Sequence, residues 1–104
     1  MRLYHNPRCS KSRQAVALLK EHGVAFEERR YLTDGVYAED LDLLAGLAGI
    51  VRKNDLTEVI DVSDVDAVRA LLASNPKLMQ RPVLVHEGRA VIGRPPEDIL
   101  HLLD

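Results

Sequence analysis

Long apolar runs are missing from this chain. No stretch approaches the roughly 20 residues needed to cross a bilayer. The N-terminus, Met1-Arg2-Leu3-Tyr4-His5, carries no apolar signal core. A cytoplasmic protein without a membrane partner is therefore expected. Aromatic residues are scarce, at 4%, and cysteine occurs once, as Cys9. A lone cysteine closes no internal disulfide and suits a reducing compartment. Neither sign of charge dominates: 14 basic residues face 16 acidic ones, the net charge is −2 and the pI is about 6.1. This balance excludes a general electrostatic pull toward nucleic acid or an anionic membrane, so any anion site must be a local cluster. Low-complexity tracts, charge blocks and repeats are also absent.

What is present is a chain of 104 residues, 46% hydrophobic and 29% charged. That is one domain's worth, enough for a single core and too apolar for disorder. Nothing in it demands more than a monomer. Leu3 to His5 form a short apolar run ended by Asn6-Pro7, a brief strand meeting a turn. From about Ser10 to Glu21 the period becomes helical, with Ala15, Leu18, Leu19 and His22 at i, i+3, i+4 and i+7. Gly23 stands at the C′ position of that helix. Val24 to Leu32 reads as a second strand, so the first thirty residues predict β-α-β with a parallel pair.

A second helix is expected over about Tyr37 to Leu47, and Ile50 to Val62 is ambiguous. A third helix follows, with Ser63 and Asp66 in a capping-box-like spacing and Asn75-Pro76 as its stop. Pro82 to His86 and Arg89 to Ile92 flank Glu87-Gly88 as a β-hairpin, and Pro95-Pro96 opens a last helix. The expected fold is thus α/β: a thioredoxin-like sheet, β-α-β then β-β-α, with a helical insertion after the second strand. The insertion covers about residues 36–79 of a single domain, 1–104.

Cys9 falls between the first strand and the first helix. Either Asn6 caps that helix with Pro7 at its first position, or Ser10 caps a slightly later start. Both place the sulfur near unpaired backbone N–H groups and the positive end of the helix dipole, which stabilise a thiolate. Arg8, Lys11 and Arg13 push the same way, and these polar neighbours argue against a buried structural cysteine. Ser12 stands where a dithiol oxidoreductase has its second cysteine. A monothiol of this kind needs an external thiol to complete a redox cycle, glutathione followed by glutaredoxin being the obvious source.

His5-Asn6-Pro7-Arg8-Cys9-Ser10-Lys11-Ser12-Arg13 resembles the active-site loop of the glutaredoxin-linked arsenate reductases, the ArsC-type family of the thioredoxin superfamily. Asn75 to Val83, Ile92 to Glu97 and, more weakly, Val51 to Asn54 are similar to further segments of that family in the same order. The resemblance runs from residue 3 to about residue 103. It implies that Cys9 attacks arsenate and later carries a mixed disulfide with glutathione. It implies that Arg52, Arg81 and Arg94 bind the oxyanion, that His5 and Ser12 support the site, and that Arg81-Pro82 is a cis bond. Forked guanidinium donors suit a tetrahedral oxyanion. No bound cofactor is implied, only glutathione as co-substrate and glutaredoxin as partner. His22, His86 and His101 have no cluster at metal-ligand spacing, so no metal site is read.

The chain departs from the family by lacking residues around Asp55 to Asp64, just after Arg52. Two other readings share the resemblance. Relatives in the superfamily bind RNA polymerase as redox-sensitive regulators, generally through a C-x-x-C pair that Ser12 removes here. A thiol oxidoreductase acting on a different substrate is the other reading, since fold does not fix substrate.

Overall fold

Residues 1–56 and 59–103 are described by a computed structural model. In it β1 (Arg2–Tyr4), α1 (Ser10–Glu21) and β2 (Glu27–Arg29) form the β-α-β unit, with β1 and β2 parallel and Tyr4 opposite Arg29. β3 (Val83–His86) and β4 (Arg89–Ile92) form the hairpin. Its two turn residues, Glu87 at φ 49° and Gly88 at φ 74°, are both left-handed, as a tight two-residue turn between right-twisted strands requires. β3 pairs antiparallel with β1, giving the order β2-β1-β3-β4. This is the α/β sheet that the order of elements predicts.

Alternation along the strands divides the core in two. Leu3 and Leu84 point to one face, where α1 supplies Ala15 and Leu19 and the 3₁₀ helix Pro96–Leu102 supplies Ile99 and Leu102. Tyr4, Val83 and Val85 point to the other, against Tyr31, Leu44, Ile50, Val51, Val68, Leu72 and Met79. Each of the central strands is thus buried on both sides, which explains its apolar run.

The segment between β2 and β3 is more broken than its periodicity suggests. β2 is shorter than expected: the chain turns at Arg30 into α2 (Tyr31–Asp34), ended by Gly35 at φ 77°. The helical region therefore starts at Tyr31, ahead of the expected boundary near residue 36. The expected helix over Tyr37 to Leu47 is a 3₁₀ turn, Ala38–Asp40, running into the short α3 (Leu41–Ala45), which Gly46 closes. Within the ambiguous stretch lies a 3₁₀ turn, Lys53–Asp55; residues 57 and 58 are outside the described residues. α4 (Val65–Ser74) is capped by Asp64, whose carboxylate accepts from the Asp66 and Ala67 N–H groups. Ser63, the expected cap, is instead bonded through its hydroxyl to Asp61 at 2.6 Å. The last helix is 3₁₀ rather than α.

Polar ties bind this helical segment to the sheet. Asp40, 7% exposed, accepts from the Tyr4 hydroxyl and, at 2.6 Å, from Arg2. Burial and the Asp40 carboxylate raise the Tyr4 pKa, so its proton stays in place as the donor. The Tyr37 ring lies between the guanidinium groups of Arg2 and Arg29, each 4.0 Å from its centroid. On the other flank Val51 bridges Met79, with Arg52 N–H to Leu78 O at 2.7 Å and Gln80 N–H to Ile50 O at 2.6 Å.

The topology brings four chain ends to one edge of the sheet. The carboxyl ends of β1, β2 and β4 and the amino end of β3 all lie there, because Tyr4, Arg29, Val83 and Ile92 are cross-strand partners. At this edge Gly93 packs under the Arg81–Pro82 junction. A Cβ on Gly93 would meet Pro82 Cγ at 2.8 Å and Ile99 Cγ2 at 2.9 Å, and its N–H donates to Pro82 O at 2.8 Å. Gly93→Ala is therefore predicted to destabilise the fold by about 1–3 kcal/mol through overpacking. A lowered urea midpoint with an unchanged slope checks this; an unaltered midpoint refutes it.

Candidate functional site

The loop His5 to Arg8 leaves β1 at that edge and turns into α1. Its backbone is held by its own side chains: Asn6 Oδ1 accepts from the Arg8 N–H at 3.0 Å, Asn6 O from the Cys9 N–H at 2.9 Å, and Pro7 O from Arg13 Nη1 at 2.9 Å. The helix N-cap is Cys9 itself, at φ −92° and ψ 123°, rather than Asn6 or Ser10. The cysteine therefore occupies the position from which a side chain faces the first unpaired N–H groups.

The sulfur makes no close cap hydrogen bond, yet its charge is governed by the groups around it. Partial burial pushes the thiol pKa up. The Ser12 N–H, the Arg81 guanidinium, the Lys11 N–H and the Ser12 hydroxyl together outweigh burial and hold it at about 7. Ser12 is fully buried, and its oxygen also accepts from the Asn6 N–H at 3.3 Å, which fixes the hydroxyl against the loop.

The expected arginines are placed unequally. Arg81 acts on the sulfur, and its buried Nε has no hydrogen-bond partner among the described residues. Arg94 is tied to it: Arg94 Nε donates to the Arg81 carbonyl at 2.9 Å. Both Arg81–Pro82 and Arg94–Pro95 are cis; the resemblance implies the first, and the second is additional. Arg52 stands further out, donating through Nε to Asp55 at 2.7 Å and through Nη1 to Gln80 at 3.1 Å. It borders an open cleft of about 360 Å³ with Lys53, Asn54 and Gln80. His5 is 5% exposed, and burial lowers its pKa so that it is neutral near pH 7. The charges of Glu28, Arg30 and Arg13 also act on it.

One residue at this edge escapes the sequence reading. Tyr31, expected inside the second strand, follows the shortened β2 and is 1% exposed. Its hydroxyl has no partner among the described residues, and burial raises its pKa to about 12. The charges that it feels are those of Arg81, Cys9, Arg52 and Arg94. No spacing rule points to it; only its place after a strand parallel to β1 does.

Chemically, the arrangement pairs a nucleophile that is substantially ionised near neutrality with guanidinium groups set for an anion. Comparison with known proteins bears on what that anion is. The model of the ArsC family matches residues 4–102. The chain is 40% identical to the uncharacterized protein YfgD of Escherichia coli, over 99% of this chain and 96% of that one. It is 39% identical to an arsenate reductase of Neisseria meningitidis, over 95% and 94%. Among solved structures, an arsenate reductase from Vibrio cholerae superposes with a TM-score of 0.76 at 36% identity, over 97% of both chains. A global transcriptional regulator, Spx of Streptococcus agalactiae, is 28% identical over 88% of this chain and 74% of that protein.

The electrostatics predict how Cys9 titrates. Its alkylation by iodoacetamide should be half-maximal near pH 7, the pKa being held at about 7. Arg81→Ala removes a charged donor worth about 1.5–3 kcal/mol, moving the midpoint upward by roughly one to two pH units. Alkylation at pH 7 then slows about five- to fifty-fold, while the rate above the new midpoint is retained. An unmoved midpoint would detach Arg81 from the thiolate.

Proposed function

The chain belongs to the ArsC family, and from that premise we propose that it reduces arsenate to arsenite at Cys9, using glutathione and glutaredoxin as the source of electrons. The observation that carries this reading is a lowered thiol pKa beside Arg81, with Arg94 bonded to the Arg81 backbone at the same edge of the sheet. An anionic sulfur repels an anionic substrate, so a thiolate that attacks an oxyanion must be accompanied by positive charge. In a chain of net charge −2 that charge is concentrated locally.

The cycle balances as follows. The Cys9 thiolate attacks arsenic(V); one oxygen leaves with its protons as water, and an S–As(V) bond forms. A glutathione thiolate attacks the Cys9 sulfur, and the S–As electron pair passes to arsenic, which departs as arsenic(III) and takes up protons as arsenous acid. Cys9 is left as a mixed disulfide with glutathione. A glutaredoxin thiol attacks the glutathione sulfur and releases Cys9 as a thiolate. Arg81 and Arg94 hold the oxyanion, Ser12 and the α1 N–H groups hold the sulfur, and Arg52 closes the outer side, within the electrostatic field that also reaches Tyr31.

The alignment with the E. coli relative spans 114 residues, more than the 104 of this chain, so some residues of that relative have no counterpart here. The similarity to Spx supports a second reading, a regulator that binds RNA polymerase without turnover. A dithiol switch needs two cysteines, and this chain has a single one, Cys9.

A coupled assay decides between them. NADPH oxidation in the presence of arsenate, glutathione, glutaredoxin and glutathione reductase is expected for the native protein and absent for Cys9→Ser, with the fold retained by circular dichroism. Turnover by Cys9→Ser at the native rate refutes the mechanism. No turnover by a native protein whose Cys9 still alkylates refutes arsenate as substrate.

A further inference from the structure

Three chain segments leave the sheet edge that holds Cys9 and carry Cys9, Arg81 and Arg94. A fourth, leaving β2, carries Tyr31. β2 runs parallel to β1 with Arg29 opposite Tyr4, and the His5 N–H donates to Arg29 O at 2.9 Å, so the chain exits beside the cysteine loop. The Tyr31 ring packs in the same cluster as Ile50, Val51 and Met79, residues adjoining Arg52 and Arg81 in sequence. We propose that the Tyr31 hydroxyl is a ligand-binding donor of this pocket, giving a hydrogen bond to an oxygen of the tetrahedral oxyanion held against Cys9. The proposal rests on the oxyanion-binding reading above and deepens it.

Two observations besides position carry it. The hydroxyl is buried and, like Arg81 Nε, has no partner among the described residues. Buried hydroxyls are ordinarily bonded, and an unbonded one next to a reactive site marks where a partner arrives. The groups whose charge reaches it are Arg81, Cys9, Arg52 and Arg94, the nucleophile and the three arginines of the pocket. Burial keeps the phenol protonated across neutral pH, so it serves as a neutral donor and adds no repulsion to the anion. Already stripped of water and fixed by packing, it offers a bond at little further cost, which is the physical basis of a preorganised site. It would supply direction where the arginines supply charge.

The test uses inorganic phosphate as a tetrahedral oxyanion that Cys9 does not reduce. Protection of Cys9 from iodoacetamide at pH 7 is measured against phosphate concentration for the native protein and for Tyr31→Phe. The half-protecting concentration is expected to rise about tenfold in the variant, as for loss of a hydrogen bond to a charged group. The alkylation rate without phosphate is expected to stay within twofold, because the donor serves the oxyanion and not the sulfur. Equal protection of both proteins overturns the assignment of Tyr31 while leaving the pocket intact. A native protein that phosphate does not protect at all overturns the oxyanion pocket and Tyr31 with it. A several-fold change in the rate without phosphate also overturns the proposal as stated, placing the hydroxyl on the thiolate. A second readout needs no variant. With ¹³Cζ-tyrosine, the three tyrosines give three signals, and the Tyr31 signal must shift on phosphate addition. A Tyr31 signal that stays in place overturns the proposal.

Discussion

A sulfur anion at the edge of an apolar sheet is opposed by burial, and the structure around Cys9 is organised by the need to overcome that opposition. Burial alone would drive the thiol pKa upward. The value of about 7 comes from donors on two separate parts of the chain: the first turn of α1, and Arg81 at the amino end of β3. These parts are more than sixty residues apart in sequence, and only strand pairing joins them. The mixed sheet does so economically. A parallel β1–β2 pair and an antiparallel β1–β3–β4 set place three carboxyl ends and one amino end at a single edge. Strands of three or four residues suffice, since nothing beyond that edge needs them longer.

The helical segment between β2 and β3 is held to this frame on two flanks by different forces. On one, Asp40 and Tyr37 tie it to Arg2, Tyr4 and Arg29 through hydrogen bonds and ring–guanidinium contact. On the other, the Val51–Met79 bridge joins the backbone of Arg52 to the residues that lead into Arg81. The second tie matters for charge. Arg52 is bound by Asp55 and Gln80, so its guanidinium is partly neutralised, and it is not among the leading groups that act on the sulfur. Its backbone is nonetheless bonded to the segment that leads into Arg81. On the reading proposed above, an arginine in that position contributes to holding the anion, whereas Arg81 also acts on the sulfur.

Much of this was legible in the sequence, and the exceptions have a common physical origin. The β-α-β unit, the hairpin and the α/β class follow from periodicity and punctuation, which are local signals. The nine-residue loop around Cys9 announces a reactive thiol because dipole, neighbouring cations and serine spacing all agree. The N-cap was legible only to within three residues: Asn6, Cys9 and Ser10 all lie close enough, and the choice falls to the turn that Asn6 and Arg13 build. Ser63 and Asp64 present the same ambiguity, resolved when Asp61 takes the serine hydroxyl. Helices broken by Gly35 and Gly46 lie beyond period counting, since tertiary burial rather than propensity sustains such short turns. Tyr31 was illegible for a different reason. Its significance lies in which strand precedes it and which cluster receives its ring, and neither fact exists before the sheet does.

The serine at position 12 joins these threads. In a dithiol protein that place holds the second sulfur, which closes on the first and carries the oxidising equivalents inside one chain. Here the oxygen is fully buried, bonded to the loop and directed at stabilising the thiolate. It is a fixed donor where a resolving nucleophile would otherwise stand. A chain built this way can lower a thiol pKa, but with one cysteine it cannot discharge an oxidised Cys9 through an internal disulfide. On the cycle proposed above, electrons arrive through an open approach to the sulfur, and Cys9 is partly exposed at the rim of the sheet rather than sealed in its core. Loss of the second sulfur thus argues against an internal redox switch and for a site that works with an external thiol.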